Sequence, residues 1–178
     1  VELASLSNYY TLEETLRGKG FRNDVAGGVI CRWLYHGISV DIMPVHSDFL
    51  GFSNPWYAVG MKTIVGHMLP NGLSINVFSA PVFLATKLEA FRSRGEDLRY
   101  DADFEDIVFL FNNRRQIVEE IRAEEDQPMK AFIVNQVAGI LTVSYLAEAV
   151  GCALGTDLHR TELVLSKLLQ VSRFLDQP

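Results

Sequence analysis

One carboxylate stands inside an apolar run: Asp41, in the segment ISVDIMP that ends at Pro44. A strand sends alternate side chains to opposite faces, so Ile38, Val40 and Ile42 share one side and Ser39, Asp41 and Met43 the other. A charge in that setting costs free energy unless it is paired or binds a metal. The preceding segment, VICRWLYHG, offers a partner. With His36-Gly37 as a two-residue hairpin turn, Tyr35 pairs with Ile38, and counting back sets Arg32 opposite Asp41. Two readings follow: a structural cross-strand ion pair, or a metal-binding or catalytic carboxylate with a cation beside it.

A second group lies downstream. In FLATKLEAFRSRG, Leu84, Lys87, Leu88 and Phe91 fall at i, i+3, i+4 and i+7, which puts Lys87 on the apolar stripe of a helix. Such a lysine either snorkels to water or turns its ammonium inward as a point charge for a phosphate or carboxylate. The segment DLRYDADFEDIVFL follows. The helix dipole favours acidic residues in a first turn, which accounts for Asp103, and either Asp103 or Asp101 can serve as the cap. Asp106 borders the buried stripe that continues at Leu110, so an inward Asp106 and an inward Lys87 form a natural pair between consecutive helices. Other signals are weaker. His36, His46, His67 and His159 lack metal-ligand spacing, Gly27-Gly28 lacks the pattern of a phosphate loop, and Ser53-Asn54-Pro55 reads as a turn.

The elements that must carry these residues follow from local signals. Thr11-Leu-Glu-Glu14 reads as a capping box, opening a helix with Leu12 and Leu16 inward that ends at Gly18 or Gly20. A hairpin runs from Val29 to Met43 and stops at Pro44. Residues 46–61 read as an irregular loop or short helical turn anchored by Trp56 and Tyr57. Asn71-Gly72 marks a turn before a strand with Leu73, Ile75 and Val77 in alternation. Ser79 caps the lysine-bearing helix, with Pro81 in its first turn. A helix covers 102–122, with Asn112-Asn113 as a weak point, and another runs from Pro128 to about Val150. A last one, capped by Thr156 or Asp157, reaches Phe174. The pattern is α+β: a mixed sheet with flanking helices over residues 1–100, then a helical region over 101–178.

Composition bounds the classes. The chain has 178 residues, 48% of them hydrophobic and 21% charged, as in a globular protein. A net charge of −6 argues against broad nonspecific nucleic-acid binding, which needs a basic face. Cys31 and Cys152 read as reduced, buried thiols in an intracellular protein. The most apolar window, Val137 to Gly155, is interrupted by Ser144 and Glu148 and suits a buried helix better than a membrane span.

Together, ICRWLYHGISVDIMP, LGFSNPWY, SAPVFLATKLEAFRSRG and DADFEDIVFL resemble the AbiEii-type nucleotidyltransferases of the polymerase-beta-like superfamily, which include toxins of type IV toxin–antitoxin systems. The resemblance covers roughly residues 1–122. It implies a nucleotidyltransferase-like sheet and transfer of a nucleotide from an NTP to an acceptor, often RNA such as a tRNA end, with two Mg²⁺ ions. It also implies a cytoplasmic location, no membrane, a possible antitoxin protein as partner and a possible homo-oligomer. In its terms Asp41 matches the third, metal-orienting carboxylate, and Lys87 and Asp106 match the downstream lysine and aspartate. Lys87 is suited to the nucleotide's phosphates; Arg32 and Trp33 stand at positions typical of the family, with Arg32 a candidate nucleotide contact. The Gly-Ser and Asp-x-Asp motifs of the superfamily do not occur upstream of Asp41. In relatives they would fall just before Val1, so the expectation is either that the gene product extends further or that this chain has lost its main metal ligands; without them it is not expected to hold two Mg²⁺ ions. The alternatives are a catalytically inactive binding or oligomerisation module on the same fold, and a protein in which Arg32, Asp41, Lys87 and Asp106 merely satisfy one another.

Overall fold

The computed structural model describes residues 6–24, 31–45, 54–95 and 97–176. The fold class is α+β: among the described residues there are eight α-helices and two small antiparallel sheets, and the C-terminal region is helical. No parallel strand pair occurs among the described residues. The chain divides into two compact units at Asn54/Pro55 rather than near residue 100. The cause is the lysine-bearing helix, whose Val82, Leu84, Ala85 and Leu88 are buried in one core with the helices beyond residue 101. A helix with that apolar stripe belongs with the elements that cover it.

The first unit holds α1 (Leu6–Gly18), β1 (Arg22–Asn23), β2 (Arg32–Tyr35) and β3 (Ile38–Asp41). Helix α1 already runs from Leu6, so Thr11 is an interior residue and not a cap. Its hydroxyl donates to the Ser7 carbonyl at 3.1 Å, and Thr15 does the same to Thr11 at 2.9 Å. Both are hydroxyls bonding back one turn, a pattern that competes with capping. The helix does end at Gly18, and Gly20, at φ +91°, lets the chain reverse. The hairpin forms as its turn residues dictate: His36 (φ 47°) and Gly37 (φ 82°) are both left-handed, matching the right-handed twist of the strands. Tyr9, Leu16, Cys31 and Trp33 are buried in this unit. Gly27 and Gly28, like His46 and Ser53 below, lie outside the described residues.

The second unit begins with α2 (Trp56–Lys62), where the Trp56 ring lies 4.9 Å from that of Phe132. The Asn71-Gly72 turn joins β4 (Val65–Met68) to β5 (Ser74–Val77). The sequence does not flag β4, since Val-Gly-His-Met is short and carries a glycine. Ser79 then caps α3 (Ala80–Arg94), its Oγ accepting from the Val82 amide at 3.4 Å. The single helix expected over 102–122 is two, α4 (Ala102–Asn113) and α5 (Ile117–Arg122). At the break Arg114 is extended, and Lys167 from a later helix donates to the carbonyls of Phe111 (2.6 Å) and Arg114 (3.0 Å). These are the orphan acceptors that every helix end must satisfy. A second expected helix also breaks: α6 (Gln127–Leu141) and α7 (Leu146–Ala153) turn by 106°. Thr142 helps end α6 by donating its hydroxyl to the Gly139 carbonyl at 2.7 Å. No single helix among the described residues is long and apolar enough to cross a membrane. Asp157 caps α8 (Leu158–Ser172), and a 3-10 turn, Arg173–Asp176, follows. Both cysteines are free; Cys31 is buried as expected but Cys152 is exposed, because it falls on the outer side of α7.

Candidate functional site

The hairpin register places Arg32 opposite Asp41, as the turn requires. The guanidinium meets the carboxylate as a fork: Nε donates to Oδ1 at 2.7 Å and Nη2 to Oδ2 at 2.9 Å. Two parallel charge-assisted bonds fix geometry as well as charge. The hydrogen bonds from Arg32 hold Asp41 below its ordinary carboxylate range, against the upward push of partial burial. The same bonds raise Arg32. Asp41 is 42% exposed and Arg32 35%, so the pair is open to solvent and adds little stability for its charge. Trp33, the next residue on β2, points to the other face and is buried, with the Arg17 guanidinium 5.7 Å from its ring centre.

In the second unit α3 carries Leu84 and Leu88 into the core, each worth about 1.5–3 kcal/mol of burial. Lys87 lies between them on the stripe, and α4 packs alongside. Asp101 is the cap of α4, its side chain accepting from the Phe104 amide at 2.8 Å. That leaves Asp103 and Asp106, one turn apart on one face, for the ammonium: Lys87 Nζ lies 3.1 Å from Asp103 Oδ1 and 2.5 Å from Asp106 Oδ2. Asp103 is therefore more than a dipole-favoured residue. Its side chain is 8% exposed while that of Asp106 is 47% exposed, so Asp103 is the buried anchor and Asp106 the outer partner. The Phe83 ring centre lies 5.8 Å from Nζ and adds a π-face. Burial pulls the Lys87 pKa down, but the hydrogen bonds to Asp106 and Asp103 outweigh it and the net shift is upward. The ammonium is charged, positioned by two helices and open to solvent on one side.

The structure thus brings Arg32 to Asp41 in the first unit, and Lys87 to Asp106 in the second. Asp103 was legible as a site residue from its i, i+3 spacing to Asp106, and Phe83 from its place one turn before Lys87. Of the histidines, His36, His67 and His159 are exposed. Among the described residues no group of three or more His, Cys, Asp or Glu converges as a metal site. Each Asp41 oxygen accepts one bond from Arg32 and keeps a further lone pair toward solvent. No family model, no curated protein and no solved structure matches this chain.

Proposed function

We propose that this chain is part of a nucleotidyltransferase-type enzyme that moves a nucleotide from an NTP to an acceptor. The observation that carries the reading is the Lys87 ammonium, held charged between Asp103 and Asp106 with one side open to solvent. An ammonium so placed can exchange the exposed Asp106 for phosphate oxygens while the buried Asp103 keeps it in position. Asp41 supplies an ionised, solvent-accessible carboxylate on the β2–β3 hairpin, with Arg32 as the neighbouring cation. The resemblance of the Asp41, Lys87 and Asp106 segments to AbiEii-type enzymes supplies the reaction class. It also suggests RNA, notably a tRNA end, as acceptor, a toxin role in the cytoplasm, and an antitoxin or a second copy as protein partner.

The test is transfer of a labelled nucleotide to RNA by the protein as the cell makes it, with and without Mg²⁺. Asp41→Asn should abolish transfer, and Lys87→Met should lower it and weaken NTP binding, with the melting temperature recorded for each. Full activity in Asp41→Asn overturns the assignment of that residue. The Mg²⁺ requirement is read from the same assay.

One observation favours a second reading, an inactive binding module on the same fold: Arg32 occupies one acceptor position on each Asp41 oxygen, as a structural ion pair does. On that reading NTP with Mg²⁺ leaves the melting temperature unchanged. A ligand at 100 times its dissociation constant instead stabilises by about 2.7 kcal/mol.

A further inference from the structure

The second unit contains a groove of about 760 Å³ that runs beside the Arg114–Glu120 ion pair. One wall is a face of the β4–β5 hairpin. Val65 pairs with Val77 and His67 with Ile75, so these four side chains stand on the same side of the ladder. Val65, His67 and Val77 line the groove; Phe78, the first turn of α3 and Leu110 of α4 form the other wall. Val65 is 49% exposed and Val77 36%, and Leu73, in alternation with Ile75 and Val77, is 57% exposed. A two-stranded ribbon with apolar side chains in solvent is marginal by itself, and a contiguous apolar patch of this kind marks an interaction surface.

Charge indicates the occupant. Glu120, Glu124, Glu125 and Asp126 close one end of the groove. The cation at that rim is Arg114, and it is already forked onto Glu120 at 2.7 and 2.8 Å. Among the described residues none of Glu124, Glu125 and Asp126 is in an ion pair; Asp126 caps α6 by accepting from the Met129 amide, and Glu124 accepts from the Asp126 amide, which leaves both carboxylates their charge. We propose that this groove docks a basic amphipathic helix of a partner protein. Its apolar face would rest on Val65, Val77, Phe78 and Leu110, and its lysines or arginines would meet the 124–126 rim. A second copy of this chain, at net charge −6, carries the wrong sign for that rim. A small organic amine fits the carboxylates but leaves Val65 and Val77 uncovered. The groove borders the Lys87 cluster through Phe83 but contains none of Asp41, Lys87 or Asp106, so variants at Val77, Glu124 and Glu125 test it without touching those three side chains.

The experiment uses the full chain and a fluorescent peptide of about 14 residues, Leu and Lys in helical amphipathic order. Controls are a Leu/Glu peptide and a scrambled Leu/Lys peptide. Binding is followed by anisotropy and by methyl chemical shifts. The Leu/Lys peptide should bind and shift Val59, Val65 and Val77, and Glu124→Lys with Glu125→Lys should weaken it about tenfold or more. Val77→Asp, on the exposed hairpin, should weaken it similarly with little change in melting temperature. Absence of binding, equal binding of either control, or binding that both variants leave unchanged overturns the proposal. So does sedimentation showing that the chain self-associates through this face, or full displacement of the peptide by hexylamine.

Discussion

Deleting the Lys87 ammonium while keeping its stem isolates the energetics of the two-helix cluster. Lys87→Met preserves most of the side chain's apolar packing. Breaking a fully buried ion pair by removing one partner costs about 3–5 kcal/mol, while an exposed pair is worth about 0–1 kcal/mol. Lys87 lies between these limits, its side chain 26% exposed. In the variant Asp106, 47% exposed, can rehydrate, but Asp103, 8% exposed, cannot. The cost should therefore be about 2 kcal/mol, dominated by Asp103. For a chain of this size that lowers Tm by about 4–8 °C. Urea denaturation at neutral pH is the assay. Adding Asp103→Asn to Lys87→Met should recover about 1–2 kcal/mol, whereas Asp106→Asn alone should cost less than about 0.5 kcal/mol. The pH dependence has a defined sign. The folded pKa of Lys87 is raised, so its stabilisation is complete below the unfolded lysine value of about 10.4 and is lost as pH rises through the folded one. A Lys87→Met variant as stable as the parent, or strict additivity with Asp103→Asn, would refute this account.

Three more outcomes can be checked. A Cβ at Gly60 would meet the Phe78 ring at 2.7 Å and Val82 Cγ1 at 2.8 Å, so Gly60→Ala should cost about 1–3 kcal/mol by overpacking, measured by thermal unfolding. Lys167→Met removes the ammonium from the Phe111 and Arg114 carbonyls, leaving Arg114 only the long bond from the Ile117 amide, and should cost about 1–3 kcal/mol, with faster amide exchange at the end of α4. Burial, aided by the charges of Cys31 and Glu13, pushes the Tyr9 hydroxyl up to about 12, so an ultraviolet titration should show one tyrosine ionising late. Its folded-state pKa is raised, so the associated stability is full below about pH 10 and is lost as pH climbs toward 12; Tyr9→Phe should remove that late step.

Where a local rule has one solution, the sequence was sufficient. His36-Gly37 permits a tight turn with two left-handed residues, and that turn alone sets Arg32 against Asp41. Ser79 and Pro81 begin α3 by the same kind of local chemistry, and the 3.6-residue period put Lys87 on the stripe. Local rules failed where a distant partner competed. The capping box at Thr11 yielded to a helix that had already started, and the helix expected over 102–122 broke where Lys167, more than fifty residues later, donates to its end carbonyls. The turn between α6 and α7 has neither proline nor a flanking glycine to announce it.

The sequence by itself determined the α+β class, the Arg32–Asp41 pairing and the presence of a cation on the buried stripe of α3, because backbone geometry and side-chain periodicity act over a few residues. Only tertiary structure decided that Asp103 is the buried anchor of Lys87 and Asp106 the outer partner. Burial depends on which helix covers which face, and that is settled by packing across the whole unit. The same packing moved α3 in with the helical core and left one face of the β4–β5 hairpin looking onto an acidic-rimmed groove. Neither outcome is written in the residues of those elements alone.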